Sequence, residues 1–328
     1  MRALVLESSN GDFVFKQVPR PIAGPGQVLV RVHASGVNPL DAKIRTGSAP
    51  HARHPLPAIL GMDLAGVVEA TGPGVERFRV GDEVYGFTGG VGGHQGSLAE
   101  YAAVDAELLA RKPASLSMRD AAALPLVAIT AWEGLMDRAR TRAGQTVLVH
   151  GGAGGVGHVA VQLARAVGAQ VFATERPEQM DTLARFGATG IDYTAVTVEQ
   201  YVEQYTGGEG FDVIYDTVGG ATLDASFNAV RTHVGHVVSC LGWGTHKLAP
   251  LSFRAATYSG VFTLIPLLTG KGRSHHGTIL AEATRLVERG ELMPLMDPRR
   301  FNWNAALQAH QEVERGHARG KIVVELDV

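Results

Sequence analysis

The sequence is poor in cysteine and in long apolar runs, and each shortage excludes a structural class. Cys240 is the only cysteine in 328 residues, so the chain can form neither an internal disulfide nor a multi-cysteine zinc site. The longest apolar run, residues 260–270, is interrupted by Pro266 and is shorter than the roughly 20 residues of a membrane span. Because no apolar signal segment follows the first residues, we expect a cytoplasmic protein.

An excess of charge of one sign is also absent. Thirty basic and 32 acidic side chains leave a net charge of −2, which gives no electrostatic reason to expect nucleic acid or a membrane surface as partner. Apolar residues make up 45% of the chain, as in ordinary globular proteins. The length suits two domains, and the expected partner is a small molecule.

The first 120 residues read as short strands separated by Gly-Pro turns. Strands are predicted at residues 27–36, 63–74, 81–87 and 97–105. Alternating polar and apolar residues, as in 27–36, are typical of a half-buried strand, and no strong helical periodicity occurs before Ser117. This pattern predicts a β-rich, barrel-like domain.

The middle of the chain alternates between short strands and helices, which predicts a parallel sheet. The strands are predicted at residues 146–149, 171–174, 190–192, 212–216, 236–239 and 260–263. Six strands complete a doubly wound α/β sheet. Helices at 278–292 and 302–316 follow, and a closing strand at 320–326 is expected to return to the β-rich domain. The predicted domains are therefore 1–122 with 258–328, and 123–257.

A glycine-rich turn links the first of these strands to a helix. It consists of Gly152, Ala153, Gly154, Gly155, Val156 and Gly157. This G-x-G-x-x-G pattern between a strand and a helix predicts a dinucleotide site, in which the first glycine permits the turn and the third permits close packing. His150 and His158 flank the turn and are interpreted as spacers. Phosphates would bind at the helix N-terminus.

The end of the second strand bears on the choice of cofactor. After Thr174, Glu175 could accept hydrogen bonds from a ribose 2′-OH and would repel a 2′-phosphate, whereas Arg176 could pair with that phosphate. The pattern favours NAD(H) weakly within a general NAD(P)H site. Two further strand ends are expected to touch the cofactor through the backbone, namely Thr217, Val218, Gly219, Cys240, Leu241 and Gly242. Cys240 is interpreted as a packing residue.

Five segments stand in the order found in a known family. They are residues 30–47 (VRVHASGVNPLDAKIRTG), 59–86 (ILGMDLAGVVEATGPGVERFRVGDEVYG), 96–104 (GSLAEYAAV), 149–157 (VHGGAGGVG) and 215–220 (YDTVGG). The chain resembles the medium-chain dehydrogenase/reductase superfamily, in its zinc-independent quinone oxidoreductase (zeta-crystallin-like) branch. The resemblance implies a GroES-like β domain interrupted by a Rossmann domain, and a homodimer.

The resemblance also permits a test for zinc. Zinc alcohol dehydrogenases of the superfamily carry an early cysteine, a Gly-His-Glu histidine and a later cysteine, where this chain has Asn38, Met62 and the cysteine-free segment 126–132. A catalytic zinc takes about three N, O or S ligands from protein, and Asp63 alone does not supply them. Other histidines, such as His94, His275 and His276, are interpreted as structural or surface residues. No metal and no flavin are expected.

Individual roles are implied by the same resemblance. Asn38 would lie beside the nicotinamide and donate a hydrogen bond to the substrate oxygen, while Asp41 would orient the loop. Lys43 and Ala49 stand where relatives carry tyrosines, so the identity of the acid is left open. Thr130 matches a threonine at the nicotinamide end. A helix threonine whose hydroxyl is bonded to its own backbone is an equally good interpretation.

The remaining expectations concern the adenosine end and the substrate. Tyr193 matches a tyrosine near the adenosine phosphate, and the lysine that joins it in NADP-preferring relatives is missing, since Gln179 and Met180 occur there. An apolar substrate pocket is expected, formed by the aromatic residues Trp243, Phe253, Tyr258 and, also near the cofactor, Phe262.

The predicted activity is hydride transfer from NAD(P)H to a quinone or an α,β-unsaturated carbonyl. Such acceptors spread the developing charge over a conjugated system, so hydrogen-bond donors can replace a Lewis acid. Two alternatives stay open: a nucleotide-binding redox sensor with little catalysis, and a zinc-dependent alcohol dehydrogenase, which the missing ligands disfavour.

Overall fold

The structure is a computed structural model that describes residues 1–326. The chain divides into two compact units. Unit 1 comprises Met1–Ile129, Leu264–Gly290 and the chain from Pro294 onward, and unit 2 comprises Thr130–Thr263 with Glu291–Met293. The division thus falls after residue 129 and before residue 264, later in both cases than the predicted boundaries at 122 and 258.

Sixteen strands are assigned within the described residues. They are β1 Arg2–Leu6, β2 Phe13–Gln17, β3 Gln27–Val37, β4 Ala58–Ile59, β5 Asp63–Thr71, β6 Glu83–Phe87, β7 Tyr101–Asp105, β8 Leu109–Arg111, β9 Thr146–His150, β10 Gln170–Glu175, β11 Thr189–Asp192, β12 Val213–Asp216, β13 His236–Ser239, β14 Thr257–Gly260, β15 Phe301–Asn302 and β16 Ile322–Glu325.

Eleven α-helices are assigned in the same part of the chain. They are α1 Pro39–Arg45, α2 Met118–Ala122, α3 Pro125–Trp132, α4 Gly157–Ala166, α5 Met180–Arg185, α6 Val198–Thr206, α7 Ala221–Ala229, α8 Ala249–Phe253, α9 Ile265–Thr269, α10 Arg273–Glu288 and α11 Ala306–Glu314. Among residues 1–326, none combines the length and the apolarity that crossing a membrane requires.

Unit 1 is built on β-sheet, as its strand and turn pattern predicts. A seven-stranded sheet has the order β15-β16-β3-β5-β6-β8, with β7 also paired to β3, and a smaller sheet has the order β2-β1-β4. Close strand approach requires glycine at Gly66, where a Cβ would lie 2.1 Å from the Arg31 carbonyl oxygen. The closing strand β16 pairs antiparallel with β3, with Ile322 opposite Val37, which confirms its predicted return to this domain.

Unit 2 contains the predicted doubly wound sheet. Its six strands are parallel and have the order β11-β10-β9-β12-β13-β14, so the order reverses next to β9, at the switch point where α/β sheets bind ligands. One side of the sheet is covered by an apolar cluster that includes Leu148, Phe172, Ile214 and Phe227. The fold class predicted from the alternating pattern is therefore confirmed.

One strand prediction in unit 2 is wrong. The last strand was expected at 260–263, but β14 covers Thr257–Gly260, with Thr257 opposite His236. The reason is burial: β14 is an edge strand whose residues are mostly exposed, whereas the apolar run begins with Val261, which is buried just after the strand. Apolar content therefore marked the buried connection and not the strand itself.

The sequence analysis also missed helix α1. This helix spans only seven residues, two turns that are too short to give a recognisable apolar period. Its start is marked instead by Asn38 at the N-cap and Pro39 at the first helical position, a combination that favours helix initiation. The Asp41 carboxylate accepts a 2.9 Å hydrogen bond from the Asn38 backbone N–H, which fixes the first turn.

Tyr215 provides a test of the packing in unit 2. Its side chain is fully buried, and its hydroxyl donates a 2.6 Å hydrogen bond to the Thr130 carbonyl oxygen. We expect Tyr215→Phe to lower the free energy of unfolding by about 1–3 kcal/mol, because a hydrogen bond inside the fold is lost. Thermal and urea unfolding measure this loss.

Tyr205→Phe is the matched control. Tyr205 is half-buried with its ring 5.0 Å from that of Phe172, and its hydroxyl forms no hydrogen bond within residues 1–326. We expect this variant to stay within about 0.5 kcal/mol of the wild-type protein. Equal losses in the two variants would contradict a specific role for the Tyr215 hydroxyl.

Candidate active site

Asn38 lies at the centre of a buried polar cluster in unit 1. It follows β3 directly, and its side chain is fully buried. Its Nδ2 donates a 2.8 Å hydrogen bond to Oδ2 of Asp63, the first residue of β5. Its Oδ1 accepts a hydrogen bond from the Lys321 ammonium group, which is delivered by the segment just before β16. Three distant parts of the sequence therefore meet at one amide.

The other atoms of Asp63 are also bound. Its Oδ1 accepts a 2.9 Å hydrogen bond from the Leu126 backbone N–H at the start of α3, and its carbonyl oxygen accepts one from the Ser97 hydroxyl at 2.9 Å. The contact with Leu126 explains why the first residues of α3 belong to unit 1 and not, as predicted, to unit 2. The carboxylate is held on both sides.

Burial dominates the electrostatics of the cluster. It raises the pKa of Asp63 to about 6 and that of Asp41 to about 7, and it lowers the pKa of Lys321 against the attraction of the two carboxylates. Burial disfavours the charged form of all three groups, and the attraction between the ammonium group and the two carboxylates opposes this effect. The Asp41 Oδ1 is buried without a hydrogen-bond partner.

The four predicted catalytic residues have different surroundings. Asn38 and Asp41 lie in the cluster, and the contact between them is the geometry expected of a loop-orienting carboxylate. Lys43 is exposed on α1, and Thr130 is buried in α3, within unit 2. Lys321 was missed because one lysine before a strand carries no recognisable motif; the only signal was the expected return of the closing strand to this domain.

The glycine turn of unit 2 has the predicted form with one correction. The residue with left-handed backbone is Gly151, at φ +70°, and not Gly152, to which the sequence analysis assigned the tight turn. Gly152 is required by packing, since a Cβ there would lie 2.5 Å from the Ala173 Cβ. At Gly157 a Cβ would lie 1.9 Å from the Gly151 carbonyl oxygen, which confirms the packing role of the third glycine.

The turn leaves backbone donors unused. Gly154 N–H bonds to the Gly151 carbonyl oxygen at 2.9 Å. In the described part of the chain, the N–H groups of Gly155, Val156 and Gly157 have no acceptor. They stand at the N-terminus of α4, where helix geometry and dipole favour an anion. These residues fit the pyrophosphate of a dinucleotide.

The cofactor-selecting residues lie at the ends of β10 and β11. The Glu175 carboxylate accepts a 3.1 Å hydrogen bond from the Ala153 N–H of the glycine turn. The Arg176 guanidinium donates to the Tyr193 hydroxyl at 3.2 Å, and both side chains are exposed. Thr174 is buried, and its hydroxyl is bonded to His150 and not directed outward. Glu175 is therefore tied to the turn, whereas Arg176 is accessible.

The two flanking histidines have structural contacts. His150 Nδ1 lies 2.9 Å from the Thr174 hydroxyl oxygen, and burial lowers the pKa of His150 to about 4, so the ring is neutral at physiological pH. His158 Nδ1 lies 3.0 Å from the Gly154 carbonyl oxygen. Both arrangements agree with the interpretation of these residues as spacers.

The loop after β12 is closed on itself. The buried Asp216 carboxylate accepts hydrogen bonds from the N–H groups of Val218 and Gly219 at 3.1 and 2.9 Å, so these donors are already engaged. The Thr217 hydroxyl donates to the His150 carbonyl oxygen at 2.7 Å. Cofactor contacts predicted for this loop would have to use its carbonyl oxygens or side chains.

The loop after β13 carries the cysteine. Burial raises the pKa of Cys240 to about 12, so the thiol stays protonated, as a packing residue would. Leu241 N–H bonds to the Ser239 hydroxyl at 3.0 Å. Gly242 leaves room for the Tyr258 hydroxyl, which a Cβ would approach to 2.1 Å.

The structure brings together some of the predicted aromatic residues. Trp243 and Phe262 form an edge-to-face pair with ring centroids 6.0 Å apart. Tyr258 packs edge-to-face on Phe227 at 6.0 Å. Phe253 on α8 is 86% exposed and makes no ring contact within residues 1–326. The pair Trp243 and Phe262 is therefore the part of the expected pocket that the fold assembles.

Asn38 and Met62 occupy two of the positions where zinc relatives carry ligands. Met62 is fully buried beside Asp63, and the Asn38 amide is engaged as described. Within residues 1–326, no group of three or more His, Cys, Asp or Glu side chains is arranged to hold a metal ion. His94 Nε2 lies 3.0 Å from the Leu267 carbonyl oxygen, and His276 is buried against Phe87.

The raised pKa of Asp41 leads to a prediction for stability against pH. A carboxyl group with a folded pKa of about 7 and an ordinary value of 3.8 holds its proton longer in the folded state. The contribution of this proton to the free energy of unfolding is fully present below pH 3.8 and is lost as pH rises through about 7. In Asp41→Asn this loss is absent, so we expect the variant to gain stability relative to wild type between about pH 4 and 7.

The difference in the free energy of unfolding between Asp41→Asn and the wild-type protein should grow by at most about 1.4 kcal/mol per pH unit. Urea unfolding at successive pH values measures it. Asn retains an oxygen that can accept from the Asn38 N–H. The control is Asp12→Asn, at an exposed position, which should show no such trend. A constant stability difference for Asp41→Asn over this range would contradict a buried, protonated Asp41.

Two family descriptions match the chain. The alcohol dehydrogenase GroES-like domain matches residues 24–114, and the zinc-binding dehydrogenase family matches residues 186–324. The chain is 35% identical to an NADPH-dependent alkenal/one oxidoreductase of Arabidopsis thaliana, over 99% of this chain and 79% of the relative. It is 36% identical to a 2-methylene-furan-3-one reductase of Solanum lycopersicum, over 91% and 71%.

Solved structures agree with this assignment. An alcohol dehydrogenase superfamily protein from Novosphingobium aromaticivorans shares 58% identity and a TM-score of 0.97, with full coverage of both chains. A quinone oxidoreductase from Coxiella burnetii shares 28% identity and a TM-score of 0.83, over 99% of each chain. The chain therefore belongs to the medium-chain dehydrogenase/reductase superfamily, in the branch of the quinone and enone reductases, and it is an oxidoreductase.

Proposed function

We propose that the protein transfers a hydride from NADPH to an α,β-unsaturated carbonyl or a quinone, without zinc. The observation that carries this proposal is the Asn38 cluster: an amide with a hydrogen-bond donor stands where zinc relatives have a metal ligand. The names of two relatives, an alkenal/one oxidoreductase and a 2-methylene-furan-3-one reductase, support reduction of conjugated carbonyls.

The chemistry follows from the residues present. The nicotinamide, when bound, supplies the hydride. Hydride addition to a conjugated system leaves negative charge on the acceptor oxygen, and a preorganised N–H can stabilise it. Asn38 Nδ2 donates one hydrogen bond to Asp63 and, as an amide nitrogen, has a second N–H. We assign that second N–H to the substrate oxygen; because Asn38 is fully buried in this structure, the assignment requires that substrate binding expose it.

The proposal of zinc independence rests on the donor set. Met62 has no nitrogen or oxygen ligand, and the Asn38 Oδ1 already accepts from Lys321. The positive charge of that ammonium group would repel a zinc ion at the same place. These residues do not fit a catalytic zinc, although one matching family is described as zinc-binding. Elemental analysis should find well below one zinc per chain; stoichiometric zinc would contradict the proposal.

For the cofactor, two features of unit 2 oppose each other. The carboxylate of Glu175 and the missing lysine beside Tyr193 favour NAD(H), as the sequence pattern indicates. The accessible guanidinium of Arg176 favours a 2′-phosphate, and the Arabidopsis relative is named as NADPH-dependent. We propose NADPH, because Glu175 is bound to the glycine turn through Ala153, whereas the exposed Arg176 is held by the exposed Tyr193 hydroxyl, and a phosphate can replace that contact.

Arg176→Ala tests this assignment. We expect the KM for NADPH to rise about 10-fold and the KM for NADH to change less than about 2-fold, since only NADPH offers the phosphate. The control is Arg185→Ala, which removes another arginine of this unit, one that stacks on Phe186. Equal changes for the two cofactors, or a wild-type preference for NADH, would overturn the assignment.

Trp243 and Phe262 are proposed as a wall of the substrate site. Trp243 is 52% exposed and pairs with Phe262, so an apolar acceptor could stack there. Trp243→Ala should raise the KM of bulky enones more than that of small ones, and Phe253→Ala, on exposed α8, should leave both unchanged. Identical KM values across the substrate series for wild type and Trp243→Ala would contradict this role.

Assembly and location remain predictions. We propose a homodimer through the free edge of β14, the last strand of the six-stranded sheet; light scattering coupled to size-exclusion chromatography measures it. A cytoplasmic location was expected from the sequence, although the Arabidopsis relative is named as chloroplastic.

The direct test of function is steady-state oxidation of NADPH with a panel of enones, enals, quinones and simple aldehydes. We expect turnover of the conjugated acceptors and little of simple aldehydes, before and after treatment with a chelator. Micromolar binding of NADPH without turnover of any acceptor would support the redox-sensor alternative.

A further inference from the structure

We infer that Lys321 is a positioning residue: its ammonium group fixes the orientation of the Asn38 side-chain amide, whose NH2 end the proposed function assigns to the substrate. The catalytic use of that NH2 group rests on the proposed function. The way in which the amide is held is independent of the reaction.

The two ends of the amide face opposite charges. Oδ1 accepts from the Lys321 ammonium group, and Nδ2 donates to the Asp63 carboxylate at 2.8 Å. Turning the amide by 180° would direct its oxygen at a carboxylate and its NH2 group at an ammonium. Both contacts would become repulsive in a buried environment, where charges are weakly screened. The observed orientation is therefore selected by the charges on either side.

This orientation directs the donor end of the amide away from Lys321. The NH2 group has two N–H bonds: one donates to Asp63 at 2.8 Å, and the second is the one that the proposed function assigns to the substrate. The oxygen accepts from Lys321. An amide in the opposite orientation would present its oxygen, which cannot stabilise a developing oxyanion. The orientation set by Lys321 is thus the one that suits hydride addition to a carbonyl system.

The partner carboxylate cannot easily move aside. Gly36 packs against it, since a Cβ at Gly36 would lie 3.2 Å from Asp63 Oδ2 and 2.2 Å from the Ala122 carbonyl oxygen. The Leu126 N–H holds the other carboxylate oxygen at 2.9 Å. Asp63 is thereby a fixed reference for the amide nitrogen.

The ammonium group is delivered by an equally rigid frame. Lys321 N–H donates to the Leu295 carbonyl oxygen at 2.6 Å, and its own carbonyl oxygen accepts from Asp297 N–H at 3.0 Å. Gly320 has φ +146°, which favours glycine, and a Cβ there would lie 2.6 Å from the Leu295 carbonyl oxygen. Ile322, the residue after Lys321, begins β16, and it pairs with Val37 of β3, next to Asn38. The backbone of Lys321 is therefore fixed on both sides, and its ammonium group reaches the Asn38 oxygen.

A purely structural role would not need a lysine. Burying an ammonium group is costly, and an apolar side chain of similar volume often stabilises a fold as well or better. An apolar side chain would, however, leave the amide oxygen without a partner and would not distinguish it from the nitrogen. The ammonium group also donates to the Val37 carbonyl oxygen at 3.4 Å, a contact independent of Asn38, and its positive charge beside the amide oxygen is what we assign to the orientation of Asn38.

Lys321→Met, which keeps the length and removes the charge, is the first test. We expect kcat with NADPH and an enone to fall on the order of 10-fold, with the KM for NADPH within about 2-fold. The control is Lys112→Met, at another buried lysine of unit 1, whose ammonium group bonds to the Pro113 carbonyl oxygen at 2.9 Å and pairs with Glu83. It should lose stability but retain kcat.

A double-mutant cycle tests whether Lys321 acts through Asn38. In the Asn38→Ala background, Lys321→Met should change kcat less than about 2-fold, because the group that it orients is gone. Additive losses of kcat in the double variant, or a loss in Lys112→Met as large as that in Lys321→Met, would overturn the inference and leave Lys321 a structural residue.

A spectroscopic readout separates this inference from the proposed function. The Asn38 side-chain 15N–1H2 resonance is assigned by its absence in Asn38→Ala. We expect it to shift, and its exchange with water to accelerate, in Lys321→Met but not in Lys112→Met. If the wild-type protein reduces no acceptor, the proposed function fails while this result still tests the orientation. An unmoved resonance in Lys321→Met refutes the inference even in an active enzyme.

Discussion

The contact between the Lys321 ammonium group, the Asn38 amide and the Asp63 carboxylate is the constraint on which unit 1 depends. It joins the end of β3, the start of β5 and the approach to β16, which lie far apart in the sequence. Buried charges are stable only when they are paired and hydrogen-bonded. The cluster meets this requirement at Asn38 and Asp63, while the Asp41 Oδ1 is buried without a hydrogen-bond partner. The second N–H of Asn38 is the donor that we propose for the substrate oxygen.

Unit 2 obeys a different constraint, which is steric. Its glycine turn brings backbone so close to backbone that a single Cβ at Gly157 would lie 1.9 Å from a carbonyl oxygen. This closeness is what directs the unused N–H groups of Gly155, Val156 and Gly157 outward from the N-terminus of α4. One unit thus holds an oriented amide, and the other presents unused N–H groups that we propose as the phosphate site.

The sequence predicts the features that depend on periodicity and on glycine. The six strands of the doubly wound sheet and the helix after the glycine turn follow from local apolar patterns, and five of the six strands lie where they were predicted to within about two residues. The pattern fails at β14, because an exposed edge strand has no apolar signal, and at α1, because seven residues give too few turns.

The site is predicted less completely than the fold. Asn38 and Asp41 are found through a motif, but Lys321 lies 283 residues after Asn38 and no local pattern links the two. Gly152 was assigned the turn although Gly151 adopts it, since backbone conformation is not visible in a run of glycines. The use of Val218 and Gly219 N–H groups by Asp216 likewise depends on tertiary geometry. Long-range pairing is what the sequence leaves undetermined.

The account is tested most directly by a crystal structure of the protein with NADP+ and an unreactive enone analogue. We predict that Asn38 Nδ2 donates to the analogue's carbonyl oxygen while Oδ1 remains on Lys321, with no metal at Met62 or Asp63. An analogue oxygen bound to a metal ion, or one that Asn38 does not contact, would contradict the central claim that an oriented amide takes the place of zinc.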